Sequence, residues 1–361
     1  MHRLNAVPET SIEELIESWD GEAVAIHRDR ETGTLMFVCS HSSRLGPSAG
    51  GTRMKQYARA ADALEDCMRL SEAMTLKLAS VSFPHGGGKA VIDLPSADLP
   101  QGEARRRLMH EFGRFVKSLG GLFSCAPDMN TSSEDMDMIA EVCPYVFGRT
   151  ESAGGAGDTA PDTAVGVFHG IGAGCRYVFG SDDLHDRTVL VQGAGGVGGR
   201  LIGLLVDAGA KVIASDIDPM RAARFESMGI RMIAPRAAIA TQCDVFAPCA
   251  TGGVLNAQTI PELRCRVVAG AANNQLEKES DADLLRERGI AYAPDFVINA
   301  GGVLHGGGLE EQGWTREVLN THLEGIGDVV YEILQRAEHE GINTDAAARR
   351  IAQSRIDAAT A

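Results

Sequence analysis

The sequence predicts an α/β protein of two domains, the second a doubly wound parallel sheet. Three observations predict it. At 361 residues the chain is too long for one compact core. A glycine-rich stretch, Ser152-Ala153-Gly154-Gly155-Ala156-Gly157-Asp158, divides it. Beyond that stretch, short apolar runs alternate with helical patterns, and one junction reads Gly193-Ala194-Gly195-Gly196-Val197-Gly198. Apolar content of 44% and charged content of 23% are those of an ordinary globular protein. The formal net charge of −15 argues against nucleic acid or an anionic membrane surface as a partner.

The amino terminus, Met1-His2-Arg3-Leu4-Asn5, has no apolar signal core, and no run approaches a membrane span. Eight cysteines at scattered positions form no C-x-x-C pair and no Cys/His cluster, so reduced thiols, a cytoplasmic protein and no metal are expected. From Ala23 to Ser40 the chain alternates around Arg30-Glu31-Thr32-Gly33, which predicts a β-hairpin. Helical patterns follow at about Ala60–Ala79 and Gly102–Leu119, with a strand at Ala90–Leu94 between them. The first domain, residues 1–150, is therefore α/β but carries no phosphate fingerprint. It does carry two lysines twelve residues apart. Lys77 ends the first helical run, and Lys89 follows Gly86-Gly87-Gly88. Three glycines predict a sharp turn that brings the backbone close to a ligand. A lysine so presented can lose solvent, and its pKa then falls toward the range of a working base. A solvated lysine ending a flexible turn is the competing reading of these residues.

The second domain, residues 151–329, begins with an entry helix from Thr163 to Arg176. Thr188–Gln192 reads as a buried parallel strand, followed by the glycine-rich junction, a helix from Gly199 to Ala208, and a second strand, Lys211–Ser215, ending at Asp216. Strand, turn, helix, strand and acid in this order predict a dinucleotide site. Gly193, Ala194, Gly195, Gly196, Val197 and Gly198 would cradle a pyrophosphate on a helix N-terminus, with Asp216 on the adenosine ribose. A carboxylate there repels a 2′-phosphate, so NAD rather than NADP is the expected cofactor. Asp244–Ala247, Val267–Ala269 and Ala291–Ala293 continue the alternation. Trp314 to Ala361 is polar and helical, and its last part, about 330–361, is expected to pack back on the first domain. Closure of two domains around Gly154–Asp158 is expected to lower the Lys89 pKa further.

Further motifs carry a resemblance: Gly50-Gly51-Thr52-Arg53, Met74-Thr75-Leu76-Lys77, Gly86-Gly87-Gly88-Lys89, Pro127-Asp128-Met129-Asn130-Thr131, Asp244 to Ala250, Gly270 to Asn274, and Asn299-Ala300-Gly301-Gly302. Their order along nearly the whole chain resembles the Glu/Leu/Phe/Val (amino acid) dehydrogenase family. Tyr145–Arg149 and Thr163–Phe168 are most similar to its phenylalanine dehydrogenases. The resemblance implies an N-terminal substrate-binding and oligomerisation domain and a Rossmann NAD-binding domain. It further implies reversible oxidative deamination of an L-amino acid to a 2-oxo acid and ammonia, in a homo-oligomer of two or more chains. Lys77 would bind the substrate carboxylate, Lys89 would activate water, and Asp128 would exchange protons with the amino nitrogen. Gly50, Gly51, Asn273 and Asn299 would line the substrate site, with Asn273 also orienting the nicotinamide, Thr163 holding its carboxamide and Ala250 beside the cofactor. From the residues alone Asp128 reads more readily as a helix N-cap, a reading the family motif reverses, and Asn299 as a strand-ending turn. His85 and His305 read as hydrogen-bonded structural residues or as substrate contacts, Cys125 and Cys249 as small buried side chains, and Trp19 and Trp314 as packing anchors.

Glutamate is the easiest substrate to reject. The family's glutamate enzymes carry a lysine before the Gly-Gly pair, where this chain has Ala49. By the same resemblance Ala49, Met74, Ala126, Val303 and Gly306 line the side-chain pocket. Small Ala49 and Gly306 favour phenylalanine or another aromatic, whereas Ala126 and Val303 resemble the leucine enzymes, leaving a leucine or valine dehydrogenase as the alternative. A non-catalytic NAD-binding protein would not need Lys77, Lys89 and Asp128. A 2-hydroxy acid dehydrogenase would use a carboxylate-paired histidine, and no such pairing is legible in the sequence.

Overall fold

The computed structural model describes residues 10–359, so Met1–Asn5 and the last two residues of the helical tail lie outside it. The chain divides into two compact units, one running to Leu78 and resuming over Pro84–Gly157, the other comprising Ala79–Phe83 and the chain from Asp158.

In the first unit the elements are α1 (Ile12–Ser18), β1 (Ala23–Arg28), β2 (Leu35–Ser40), β3 (Ser48–Lys55), α2 (Ala60–Ser80), β4 (Gly86–Asp93), α3 (Gly102–Ser118), β5 (Phe123–Pro127) and α4 (Ser133–Ala140). Five strands form one sheet in the order β1-β2-β4-β3-β5. β1, β2 and β4 pair antiparallel, and β4, β3 and β5 pair parallel. The period-two alternation of β2 explains its double burial. Met36 and Val38 join Leu108, Met109 and Phe112 of α3 on one face. Phe37 and Cys39 join Leu64, Cys67 and Met68 of α2 on the other.

One expectation fails here. Gly86, Gly87 and Gly88 do not form a turn; they are the first three residues of β4, facing Ser48 and Ala49 of β3 and Ser40 of β2. Close packing demands the glycines. A Cβ on Gly86 would meet the Ser42 carbonyl oxygen at 1.8 Å, one on Gly87 the Thr75 nitrogen at 2.1 Å, and one on Gly88 the Phe123 ring at 2.7 Å.

The second unit contains α5 (Ala160–Phe179), β6 (Thr188–Gln192), α6 (Gly196–Asp207), β7 (Lys211–Ser215), α7 (Pro219–Ser227), β8 (Arg231–Met232), β9 (Val245–Pro248), β10 (Val267–Val268), α8 (Asp281–Glu287), β11 (Ala291–Tyr292), α9 (Asp295–Ile298), α10 (Gly301–Gly306), α11 (Arg316–Glu340) and α12 (Thr344–Ala358). Its six strands run in the order β11-β10-β9-β6-β7-β8, every pair parallel. This is the doubly wound order, and its switch point lies between β6 and β9. α6 begins at Gly196, three residues before the helix expected from the sequence, because within the glycine motif only Gly193 leaves the φ range open to other residues. The polar tail is two helices, not one. Gly341, at φ 68°, caps α11 in the left-handed conformation and starts the turn into α12. α12 packs on α11 and α8, and Arg355 donates to the carbonyls of Ala79 and Ser80.

Candidate active site

The first group of residues gathers around β3, β4 and the end of β5. Lys89 lies within β4 and is 6% exposed. Its Nζ lies 3.1 Å from Asp128 Oδ2, the same oxygen that accepts from Arg53 Nε at 3.1 Å. Gly51, opposite Ala126 in the β3–β5 register, keeps this space open. A Cβ there would lie 2.7 Å from Asp128 Cβ and 3.0 Å from Lys89 Nζ. Gly50 is equally constrained, since its Cβ would meet the Gly88 carbonyl oxygen at 1.8 Å.

The loop after β5 aims Asp128. Its backbone nitrogen donates to Thr131 Oγ1 at 2.8 Å, and that hydroxyl donates to the Thr52 carbonyl at 2.7 Å. Asn130 turns the chain at φ 63°. Asp128 is not the N-cap of α4; Ser132 is, in a capping box with Asp135, so the Asp128 carboxylate is free to meet Lys89 and Arg53.

Electrostatics follow from this geometry. Burial pushes the Lys89 ammonium below its ordinary value; Asp128 pulls it partly back, and Arg53 adds to the lowering. Burial alone would raise the Asp128 carboxyl, but Lys89 and Arg53 together hold it below the usual carboxylate range. At neutral pH the site therefore has a firmly ionised carboxylate beside a lysine that gives up its proton more readily than usual.

Lys77 lies in the last turn of α2, half-buried, with Met74 one turn earlier in the same helix. Ala49 and Ala126 are buried together with Phe147, so an aromatic ring borders the two small side chains. His85 is buried just before β4.

The second group is built on the parallel sheet. Gly193 ends β6 at φ 97°, and its nitrogen donates to the Ser215 carbonyl at 2.7 Å. A Cβ on Gly193 would lie 2.8 Å from Ala250 Cβ, and one on Gly198 only 1.9 Å from the Gly193 carbonyl oxygen. Gly195 is the N-cap of α6, with Gly196, Val197 and Gly198 in its first turn. Asp216 follows β7. Its carboxylate accepts from the Ala194 and Asp218 nitrogens, both at 2.8 Å, and Arg221 lies 3.4 Å away. A backbone cradle closed to a Cβ at Gly193 and Gly198, an open helix N-terminus and a carboxylate at the end of the second strand suit a dinucleotide with free ribose hydroxyls.

Near the start of α5, Thr163 Oγ1 donates to the Thr159 carbonyl at 2.9 Å. Gly302 faces it, since a Cβ there would come within 3.0 Å of that oxygen. Half-buried Val303 and buried Gly306 follow on α10. Asn299 is 7% exposed and donates through Nδ2 to Asn273 Oδ1 at 2.7 Å and to the Ala271 carbonyl at 3.2 Å, so its amide orients Asn273.

Other residues emerge only from the fold. Arg53 reaches Asp128 across 75 positions of sequence. His305 Nδ1 lies 2.5 Å from Asp162 Oδ2, and Arg316 reaches the same oxygen at 2.6 Å. This is one of several carboxylate–histidine pairings that the sequence did not show, its partners being 143 residues apart. It joins α10 to α5. Cys125 is buried, whereas Cys249 keeps some exposure. Trp314 stacks on His322 at 4.0 Å and meets Phe83 edge-on. Among the described residues no group of three or more His, Cys, Asp or Glu is placed to hold a metal ion. No described helix is long and apolar enough to cross a membrane.

Comparison with known proteins places the chain in a family. Residues 23–145 match the family described as Glu/Leu/Phe/Val dehydrogenase, dimerisation domain, and residues 215–361 match Glutamate/Leucine/Phenylalanine/Valine dehydrogenase. A leucine dehydrogenase of Thermoactinomyces intermedius is 40% identical over 95% of this chain and 92% of that protein. A phenylalanine dehydrogenase of the same organism is 39% identical over 95% and 93%. The crystal structure of L-tryptophan dehydrogenase from Nostoc punctiforme superposes with a TM-score of 0.85 at 35% identity, covering 97% of this chain and 99% of that one. The chain belongs to the Glu/Leu/Phe/Val dehydrogenase family, as an amino acid dehydrogenase that uses NAD. Identities of 40% and 39% to leucine and phenylalanine enzymes do not choose between those substrates.

Proposed function

We propose that this enzyme reversibly deaminates an apolar L-amino acid to its 2-oxo acid and ammonia, with L-phenylalanine or another aromatic preferred. The observation that carries the chemistry is the buried Lys89–Asp128 pair, Nζ to Oδ2 3.1 Å, over the bare backbone of Gly51. Bound NAD supplies the acceptor for the Cα hydride. Lys77 pairs with the substrate carboxylate, leaving the amino nitrogen for Asp128, which takes its proton as the iminium forms. Lys89, in its neutral form, removes a proton from the water that attacks the iminium carbon. Asp128 then returns its proton to the carbinolamine nitrogen, and Lys89, its first proton passed to solvent, takes the hydroxyl proton as the C–N bond breaks, giving the oxo acid and ammonia. Asn273, held by Asn299, orients the substrate, and Thr163 holds the cofactor's carboxamide.

The aromatic preference rests on the small side chain of Ala49, packed with the Phe147 ring, and on Gly306 of α10, which leave room for a ring. A glutamate side chain among these groups would be an unpaired buried charge, a cost of roughly 3–5 kcal/mol. Ala126 and Val303 support the second reading, a leucine or valine substrate. The cytoplasm is the proposed location, where the eight cysteine thiols remain reduced. A homo-oligomer of two or more chains is proposed through the dimerisation domain.

NADH formation with a panel of L-amino acids at alkaline pH, run beside Lys89→Ala, tests both levels. Turnover on Phe, Tyr or Trp above Leu and Val, lost in the variant, is the expected result. Preference for Leu, Ile or Val moves the reading to a branched-chain enzyme. Undiminished turnover by Lys89→Ala would remove the proposed base.

A further inference from the structure

Arg53 has no role in the chemistry set out above, yet its guanidinium spans two carboxylates. Nε donates to Asp128 Oδ2 at 3.1 Å and Nη1 to Asp66 Oδ2 at 2.9 Å. Asp66 has other partners besides Arg53. Tyr57 donates its hydroxyl to Asp66 at 2.6 Å, and Arg69 reaches the other oxygen at 2.8 Å. Asp128, for its part, already has Lys89. One carboxylate oxygen thus faces two cations, and a static ion pair needs only one.

The arrangement makes sense once Lys89 must become neutral. Without Arg53, loss of the Lys89 proton would leave Asp128 as a largely buried carboxylate with no counter-ion, and the lysine would hold its proton to prevent this. We propose that Arg53 is the positioning residue of the Lys89–Asp128 pair, the standing counter-ion that keeps Asp128 ionised and aimed while Lys89 cycles between charged and neutral forms. Asp66, held by Tyr57 and Arg69, is the anchor that fixes the guanidinium. The inference rests on the proposed roles of Lys89 and Asp128.

The ionisable groups facing Lys89 are Asp128 from the loop after β5, Arg53 from β3 and the Cys67 thiol from α2. Arg53 lowers the pKa of both Lys89 and Asp128, Asp128 raises that of Lys89, and the thiol acts in the same sense as Asp128. The sign of the effect follows. A base works only when neutral, so kcat/KM rises as pH climbs through the Lys89 pKa. Removing the neighbouring positive charge raises that pKa and moves the rising limb to higher pH.

The test is the pH profile of kcat/KM for wild type, Arg53→Gln and Arg53→Lys. L-phenylalanine is the substrate, or L-leucine if the panel prefers it. NAD affinity, measured by NADH-quenched fluorescence, serves as the folding control. Arg53→Gln is expected to shift the limb upward by about one pH unit, with NAD affinity unchanged. Arg53→Lys keeps the charge but cannot bridge both carboxylates. Its limb should stay in place while the plateau falls about tenfold. An unmoved limb in Arg53→Gln overturns the proposal. If that variant does not fold, Arg53→Lys carries the test, and an unchanged plateau is the overturning result. Failure of the underlying catalytic reading looks different, because Lys89→Ala would then retain turnover.

Discussion

The two units assemble their candidate sites by opposite means. In the first, charged side chains meet: Lys89 and Arg53 converge on one oxygen of Asp128, beside a sheet whose glycines clear room for them. In the second, the backbone does it: Gly193, Gly195 and Gly198 form a cradle at a helix N-terminus, with Asp216 hydrogen-bonded to the Ala194 nitrogen. Glycines serve both, but differently. Gly193 is needed partly for its positive φ, whereas Gly51 and Gly86–Gly88 are in a strand and are needed only because a Cβ would collide. A site of side chains is tuned by charge and burial; a site of backbone is tuned by shape. Substitutions in the two should therefore separate chemistry from cofactor binding.

The largest separation is expected from Asp128→Asn. It removes the proposed proton carrier while leaving the second unit untouched, so kcat should fall by about 10²- to 10⁴-fold with the NAD dissociation constant within twofold. Steady-state kinetics beside calorimetric NAD titration checks it, and a kcat loss below tenfold would break the comparison. Gly198→Ala should do the reverse. Its Cβ would lie 1.9 Å from the Gly193 carbonyl oxygen, and relieving that overlap distorts the cradle. NAD affinity should drop by about ten- to a hundredfold, in line with a backbone strain of roughly 1–3 kcal/mol, while the melting behaviour of the first unit, followed by amide exchange in β3 and β4, stays unchanged. The smallest effect sharpens the first site alone. Ala126→Leu narrows the space beside Ala49 and Phe147 and should lower kcat/KM for phenylalanine relative to valine by about tenfold. An equal loss on both would show that Ala126 does not border the side chain.

Legibility divides along the same line. The glycine motif, the strand before it and Asp216 lie within one continuous segment, and their backbone roles follow from local rules. Hence the doubly wound parallel domain was readable, down to the positions of five of its six strands, though the two-residue edge strand β8 was not. Even there the start of α6 was placed three residues late, because glycines that look like a loop also tolerate helical φ. In the first unit the lysines, Asp128 and the Gly-Gly pair were recognisable as motifs, but their geometry was not. Gly86–Gly88 passes for a turn in sequence and is a strand, since nothing local reveals that Ser42, Thr75 and Phe123 press against it.

By itself, then, the sequence determined the fold class, the alternation of elements in the second unit and the cofactor fingerprint, each of which depends on periodicity or on residues close together in the chain. The family followed from the resemblance carried by short motifs in order along nearly the whole chain. Only the tertiary structure decided that Asp128 answers to Lys89 and Arg53 instead of capping α4, that Asn299 orients Asn273, and that His305 meets Asp162. These contacts join residues from 26 to 143 positions apart. Charge, burial and hydrogen-bond choice at such distances are settled by which surfaces the packed sheets and helices bring together.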